Sequence, residues 1–365
     1  MSERPSFRKI LLIRRKALGD VLVSMRAVLE VARTWPAASV DLVVDRPFAD
    51  LLDGLAGRAD RPGGFRILSW PPRNGQSWLN VLRGGRYDLV IDWLGSPRTA
   101  LWTMLTGAPV RVGYDLPRRR WAYNVKVPRN RSGRWDLRGF AGEAFLDPLR
   151  SLGLDPQPWR DGFAGGSTVG EAVPGSGGSL GNGFSGSFSG EFSNWLENWI
   201  SGSGAPVVMM MSATWSAKGW PASHAAELFR DLGRRGMNPV LVTGPGDREL
   251  EKELRLLLPG DAIAPPTNLL ELAHLLEKAS VFVGTDCGPR HLAASLGVPT
   301  VTLFGPTDPV GWNPAVPEHV SVRTAEDCSP CDLADCPVPG HPCMNDLVPG
   351  MVMEAVERVL NPASR

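Results

Sequence analysis

The chain has almost no net charge: 39 Lys and Arg stand against 38 Asp and Glu in 365 residues, leaving +1. That balance argues against a general nucleic-acid binder, which needs a basic face. Long apolar runs are also missing. No stretch approaches the roughly 20 residues that span a bilayer. The N-terminal "MSERPSFRKILLIRRKALGD" holds one short apolar strand and no signal-peptide core or cleavage site, so the expected compartment is the cytoplasm. Five cysteines are too few for a secreted disulfide scaffold of this length. No G-x-G-x-x-G follows the first predicted strand, and there is no P-loop, which disfavours a cofactor-dependent dehydrogenase and a P-loop enzyme. The absence of any D-x-D weakens schemes in which paired carboxylates carry a divalent metal to a diphosphate. No internal repeat of 20–50 residues is apparent. What is present is 43% apolar content, enough for real cores in a chain long enough for two domains.

Short apolar runs alternate with amphipathic ones. "KILLIR" reads as a buried strand, and "LGDVLVSMRAVLEVARTWP" as a helix with Val21, Met25, Val28, Leu29 and Ala32 at helical spacing and Pro36 as its stop. "VDLVVD", "FRILSW" and "YDLVIDW" read as further strands. Continuous apolar strands alternating with helices imply a parallel sheet covered on both faces. The pattern breaks between Gly165 and Gly204, which is Gly/Ser-rich and reads as a linker; "EFSNWLENWI" within it has the pattern of one short helix. The alternation then resumes with "PVVMMM", "PASHAAELFRDLGRRG", "NPVLVTG", "DRELEKELRLLL", "NLLELAHLLEKA" and "VFVGTDCGPRHLAASLGVPTVTLFGPTDP", and ends in the amphipathic "VPGMVMEAVERVL". The expected organisation is an α/β chain of two doubly wound domains: 1–164, a linker at 165–204, 205–348, and a C-terminal helix and tail at 349–365, with a cleft between the domains.

Ligands of open α/β sheets bind beyond the carboxyl ends of the strands. In "VFVGTDCGPRHLAASLGVP", Asp286 or Cys287 suits the helix cap, Pro289 its first turn and Gly297 its end. The free N–H groups of such a helix make a phosphate site, and Gly284 and Gly288 would let a ligand come close. Glycine turns capped by Asp are also common in any α/β protein. Lys218, in the turn of "SATWSAKGWP", is an ammonium suited to a pyrophosphate or an ordinary solvated lysine. Asp20, in "KALGD" after the first strand, is either a general base facing the cleft or a helix N-cap.

Taken together, "ILLIRRKALGDVLVSMRAV", "ATWSAKGWPASHAAELFRDL", "VLVTGPGDRELEKEL", "VFVGTDCGPRHLAASLGVPTVTLFGPTDP" and "CSPCDLADCPVPGHPCM" resemble family 9 glycosyltransferases, the ADP-heptose:lipopolysaccharide heptosyltransferase family. The resemblance implies a GT-B fold, two Rossmann-like domains facing across a cleft. It also implies inverting, metal-independent transfer of a sugar from a nucleotide-sugar donor, with no cofactor. It implies Asp20 as the base, Lys218 and Thr214 on the donor phosphates, and Asp286, Gly288 and His291 at the donor site. An acidic residue near the nucleoside corresponds to Asp247 or Glu249. Cys287 departs from the family's usual threonine; a thiol bonds more weakly than a hydroxyl, so weaker donor binding is expected.

Nine basic residues lie between Arg111 and Arg138 (Arg111, Arg118, Arg119, Arg120, Lys126, Arg129, Arg131, Arg134 and Arg138), against Asp115 and Asp136, with Trp121, Tyr123 and Trp135 interleaved. Such a segment suits an acidic, phosphorylated glycolipid acceptor at the inner membrane surface, with Arg118, Arg119 and Arg120 as contacts and the protein peripheral there; a solvated loop face would look the same. Cys328, Cys331, Cys336 and Cys343, near His341, have a spacing compatible with zinc or an iron–sulfur cluster, with reduced thiols, or with an adventitious disulfide. Three readings therefore stand side by side: a glycosyltransferase using an ADP-linked donor, a nucleotide-sugar epimerase of the same architecture, and a non-catalytic nucleotide-sugar binder.

Overall fold

Apolar runs with no alternation are what strands need when both faces of a sheet are covered, and the first run shows the result. Ile10, Leu11, Leu12 and Ile13 have no exposed surface. The computed structural model describes residues 5–56, 65–72, 77–129, 140–156, 188–211 and 214–361. The chain divides into two compact units, with the described residues of the first within Met1–Arg160 and those of the second within Gly186–Arg365. No helix among the described residues is long and apolar enough to cross a membrane.

The first unit holds strands β1 (Lys9–Ile13), β2 (Ser39–Asp45), β3 (Arg66–Trp70), β4 (Leu89–Asp92), β5 (Val110–Tyr114) and β6 (Val125–Val127). All pairings are parallel, in the order β3-β2-β1-β4-β5-β6. Helices α1 (Leu18–Thr34), α2 (Arg46–Ala56), α3 (Trp78–Gly84), α4 (Pro97–Leu105) and α5 (Asp147–Arg150) connect or flank the strands. α4 starts sharply because Ser96 and Thr99 form a reciprocal capping box and Pro97 fills the first turn. Strands β5 and β6 were not expected from the sequence. Their runs "VRVGY" and "VKV" are short and carry charge, as suits the outer strands of the sheet.

The second unit holds β7 (Pro206–Met210), β8 (Asn238–Leu241), β9 (Val281–Thr285), β10 (Thr300–Leu303) and β11 (His319–Val322), again all parallel, in the order β11-β10-β9-β7-β8. Its helices are α6 (Gly190–Ile200), α7 (Ala222–Arg234), α8 (Arg248–Leu257), α9 (Leu269–Glu277), α10 (Gly288–Ser295), α11 (Pro309–Trp312), α12 (Pro342–Asn345) and α13 (Pro349–Leu360). Most of the expected linker, residues 165–187, lies outside the described residues. Its later part forms α6, which buries Phe192 and Leu196 and accepts a hydrogen bond from Asn238 Nδ2 at Trp199 O, 2.7 Å. α13 packs on α7 and on β10 and β11 and buries Val352, Met353, Ala355 and Val356. The ends of α7 and α10 use Gly236 and Gly297 at φ +75° and +76°, which side chains with a Cβ adopt at a cost.

In each sheet the strand order reverses once, and that reversal opens a crevice at the carboxyl ends. In the first unit it falls between β1 and β4; in the second, between β7 and β9.

Candidate functional site

At the reversal of the first sheet, the chain leaves β1 through Arg14 and enters α1. Asp20 is the third residue of that helix, and the N-cap position belongs to Ala17, without a side-chain cap. The capping alternative for Asp20 therefore does not describe this helix. Its Oδ2 instead pairs with Arg14 Nη2 at 2.6 Å, with the Asp20 side chain 26% exposed. Arg14 is itself buried, donates from Nη1 to Trp93 O just past β4 (3.2 Å), and lies over the Phe145 ring (5.3 Å). One guanidinium thus ties the carboxylate to both strands of the crevice. Close by, Asp92 is fully buried at the end of β4. It accepts from Leu94 N and Gly95 N and from Tyr123 Oη at 2.7 Å. Burial pushes its carboxyl up, against these hydrogen bonds.

The basic segment divides. Arg118 and Arg120 are exposed and Arg119 is half-buried; Arg120 pairs with Asp115 at 2.8 Å. Arg111 does not belong to an acceptor face: its Nε and Nη1 donate to the carbonyls of Ala122 and Ala108. Tyr123 is 3% exposed and belongs to the core through its bond to Asp92. Trp121 is 52% exposed, Lys126 is exposed on β6, and Arg129 lies over the Tyr114 ring. Arg131, Arg134, Trp135, Asp136 and Arg138 lie outside the described residues.

At the reversal of the second sheet, the β7 loop brings Lys218 and the β9 loop brings Asp286. Lys218 Nζ meets Asp286 Oδ2 at 2.7 Å and lies 4.6 Å from the Trp215 ring centroid. Thr307, after β10, donates to the same oxygen at 2.9 Å. Arg290, on α10, has no exposed surface and reaches Asp286 Oδ1 at 3.4 Å. Burial alone would raise the Asp286 carboxyl; Lys218 and Arg290 outweigh it and hold the group down at about 2. The carboxylate is ionised, and two cations face it. His291 is buried beside them, and burial followed by the Arg290 charge drives its pKa far below the ordinary histidine value.

The α10 cap differs from expectation. Cys287 occupies the N-cap position but makes no side-chain cap bond, and the Asp286 carboxylate is taken by Lys218 and Thr307. Burial pushes the Cys287 thiol up to about 11, so it stays protonated at neutral pH. Gly288 begins the helix. At Gly284 a Cβ would collide with Met210 O on β7 and with the Phe282 ring, so its smallness serves strand packing. Thr214, four residues before Lys218, is exposed. Of the two acidic candidates after β8, Asp247 turns back to accept from Gly244 N, while Glu249 faces solvent and pairs with Lys252 at 2.7 Å.

The cysteine segment braces the lysine loop. Ala217 N donates to Ala334 O (3.0 Å), Ser216 Oγ to Asp335 Oδ1 (2.6 Å), and His341 Nε2 lies 2.9 Å from Ala217 O, which it can only approach as a donor. Cys328 and Cys331 are exposed, Cys336 is half-buried and Cys343 buried, and all four are free. Among the described residues no group of three or more His, Cys, Asp or Glu side chains is arranged to hold a metal ion. Burial, followed by the neighbouring thiols, pushes Cys343 up to about 11.

Residues 197–341, which carry Lys218, Asp286, Arg290, His291 and this brace, match the model of glycosyltransferase family 9 (heptosyltransferase). Lipopolysaccharide heptosyltransferase 1 of Pseudomonas aeruginosa is 27% identical over 346 residues, which cover 90% of this chain and 87% of the relative. The chain is similar to glycosyltransferase family 9, with residues 197–341 carrying the family match. Lipopolysaccharide heptosyltransferase 1 of Escherichia coli K12 is 24% identical over 311 residues, covering 82% of this chain and 89% of the relative. Among solved structures, Escherichia coli ADP-heptose lipopolysaccharide heptosyltransferase II aligns with a TM-score of 0.68 at 21% identity, covering 98% of this chain and 100% of that one. An Escherichia coli heptosyltransferase solved with ADP-2-deoxy-2-fluoro heptose aligns at 0.59 and 22%, covering 96% and 99%. At those identities the structures establish the fold: two parallel α/β sheets matching GT-B heptosyltransferases.

Sequence reasoning passed over two members of the first unit's cluster, Arg14 and Asp92, and two of the second unit's, Arg290 and Thr307. Arg14 and Asp92 each sit at or just past the carboxyl end of a strand beside the first reversal, and that position is the signal that marks them. Arg290 fills a variable place in the D-x-G-x-x-H pattern and carries no comparable mark.

Proposed function

We propose that this chain is a family 9 glycosyltransferase that moves a heptose or related sugar from an ADP-linked donor to the hydroxyl of an acidic, lipopolysaccharide-core-like glycolipid, with inversion and without a metal. The observation that carries the reading is the buried Lys218–Asp286–Arg290 cluster at the reversal of the second sheet, which has two cations for one carboxylate. The surplus positive charge suits a diphosphate.

In this reading the donor diphosphate rests against Lys218 and the N-terminus of α10, whose first free N–H groups carry partial positive charge. The acceptor hydroxyl is held at Asp20. Arg14 occupies Oδ2 of that carboxylate, and Oδ1, which has no hydrogen-bond partner among the described residues, is left to accept the hydroxyl proton. As the acceptor oxygen bonds to the anomeric carbon from the face opposite the diphosphate, the glycosidic bond to phosphate breaks. The leaving phosphate gains the negative charge, and Lys218 is positioned to stabilise it. In this reading exposed Arg118 and Arg120, the latter shared with Asp115, offer charge to the acceptor's phosphates, which supports a peripheral position at the inner membrane surface. The donor's nucleoside falls to the β8 loop, where Asp247 rather than solvent-facing Glu249 has the fixed geometry.

The Arg14–Asp20 ion pair favours one rival: a protein that holds a nucleotide sugar but transfers nothing, with Asp20 purely structural. Acceptor-dependent ADP release from ADP-heptose, on heptose-deficient lipopolysaccharide core, separates the two. The transferase reading expects release with wild type and its loss in Asp20→Asn with donor binding kept. Donor binding without release on any acceptor supports the rival, and Asp20→Asn releasing ADP at the wild-type rate removes Asp20 as the base.

A further inference from the structure

Arg290 is an unusual group: a guanidinium with 0% exposed surface of which, among the described residues, only one nitrogen is hydrogen-bonded. Its Nη2 reaches Trp312 O at 2.7 Å, His291 Nε2 at 3.1 Å and Asp286 Oδ1 at 3.4 Å. Nε and Nη1 are buried and have no partner among the described residues. An arginine nitrogen has only hydrogens to offer and stays charged in proteins. His291 Nε2 must therefore be the acceptor, so the imidazole is neutral with its single proton on Nδ1. That Nδ1 is also buried and has no partner among the described residues. A doubly protonated His291 would set two N–H groups against each other at 3.1 Å.

We propose that Arg290 is the positioning residue that sets the charge of the donor diphosphate site, locking His291 as the neutral Nδ1–H tautomer and offsetting Asp286 so that the Lys218 charge is left for phosphate. The proposal rests on the donor-diphosphate reading of the site. Without Arg290, Lys218 and Asp286 form a neutral pair and the attraction for a diphosphate weakens to what the α10 N-terminus supplies. Every charged or titratable group near His291 belongs in this balance. Arg290, Lys218 and His319 disfavour its protonation, Asp286 favours it, and burial, the largest influence, disfavours it. Removing Arg290 takes away one opponent and leaves Asp286 as a proton's natural neighbour.

The test compares wild type, Arg290→Met and Arg290→Lys. Thermal melts confirm that each is folded. Histidine-selective ¹⁵N NMR, with His291→Gln for assignment among the five histidines, reads the tautomer directly. Calorimetry with ADP reads the diphosphate site. Wild type should show His291 as Nδ1–H with no titration from pH 8 to 5.5. In Arg290→Met the ring should leave that tautomer and begin to titrate within the range. ADP affinity should fall about tenfold to a hundredfold at pH 8, and the ratio to wild type should narrow as the pH falls and His291 takes up a proton. Arg290→Lys should keep most of the affinity. Identical His291 spectra in wild type and folded Arg290→Met would overturn the proposal. So would a lysine variant that stays folded but binds as weakly as the methionine one. Failure of wild type to bind ADP strikes the donor reading instead, while the histidine spectra still decide whether Arg290 locks His291.

Discussion

Replacing Lys218 by methionine removes the ammonium 2.7 Å from Asp286 and keeps the length of the side chain. Two effects follow, and their sizes differ. Breaking a buried ion pair from one side costs about 3–5 kcal/mol. Here Asp286 keeps Thr307 and Arg290 as partners, so the low end, about 3 kcal/mol, applies. The Asp286 carboxyl should rise from about 2 as its strongest cationic neighbour goes. The second effect is on chemistry: losing one preorganised donor at a charge-developing oxygen costs on the order of 10²–10³ in turnover. The assay is acceptor-dependent ADP release, run at a temperature where circular dichroism shows wild type and variant both folded, so that stability and turnover separate. The expected outcome is a lowered melting temperature together with a fall in kcat of that order. A folded Lys218→Met protein with kcat within about threefold of wild type would refute the reasoning. Lys218 would then be Asp286's structural partner alone.

Two further outcomes test the electrostatics and the cysteine brace. Burial, then Arg290, lowers the His319 pKa from 6.5 to about 4. Between those values the unfolded chain binds a proton that the folded chain refuses, so stability should fall as the pH drops through that window, by roughly 3 kcal/mol in all for this group. Urea titrations of His319→Gln should lose that share of the slope; an unchanged slope contradicts the burial argument. Alkylation at pH 8 should label exposed Cys328 and Cys331 quickly and buried Cys343 slowly, because its thiol sits at about 11. Mass spectrometry showing Cys343 labelled as fast as Cys328 counts against the packing of that segment on the lysine loop.

The two sheets were legible because buried parallel strands leave continuous apolar runs such as "KILLI" and "VFVGT", bounded by glycine, proline and aspartate. Lys218, Asp286 and Asp20 were legible for a related reason, as each follows such a run. Strands β5, β6 and β11 escaped because outer strands tolerate charged and polar residues, as Arg111, Lys126 and His319 show. The pairings escaped as well. Nothing in "KILLIRRKALGD" says that Arg14 rather than Arg15 or Lys16 takes Asp20; the register of β1 beside β4, which puts Arg14 against Trp93 O, decides it. Tyr123 looked like part of a ligand-facing patch because its neighbours are basic, and only the fold shows its hydroxyl satisfying buried Asp92. The cysteine spacing left a metal, reduced thiols and a disulfide open, while the Ala217 N–H to Ala334 O bond and the His341 ring contact to Ala217 O show the same segment supporting the lysine turn. Spacing along the chain reports candidate ligands, and it carries no information about which neighbouring loop a segment leans on.

The most direct measurement is a crystal structure of the protein soaked with a non-hydrolysable ADP-sugar. The diphosphate should lie within about 3 Å of Lys218 Nζ, as a charge-assisted hydrogen bond requires, and close to the first N–H groups of α10, with the Lys218–Asp286 pair kept or loosened toward the ligand. A donor bound elsewhere, with Lys218 still turned onto Asp286 and no phosphate beside it, would contradict the claim that this buried cluster is the diphosphate site.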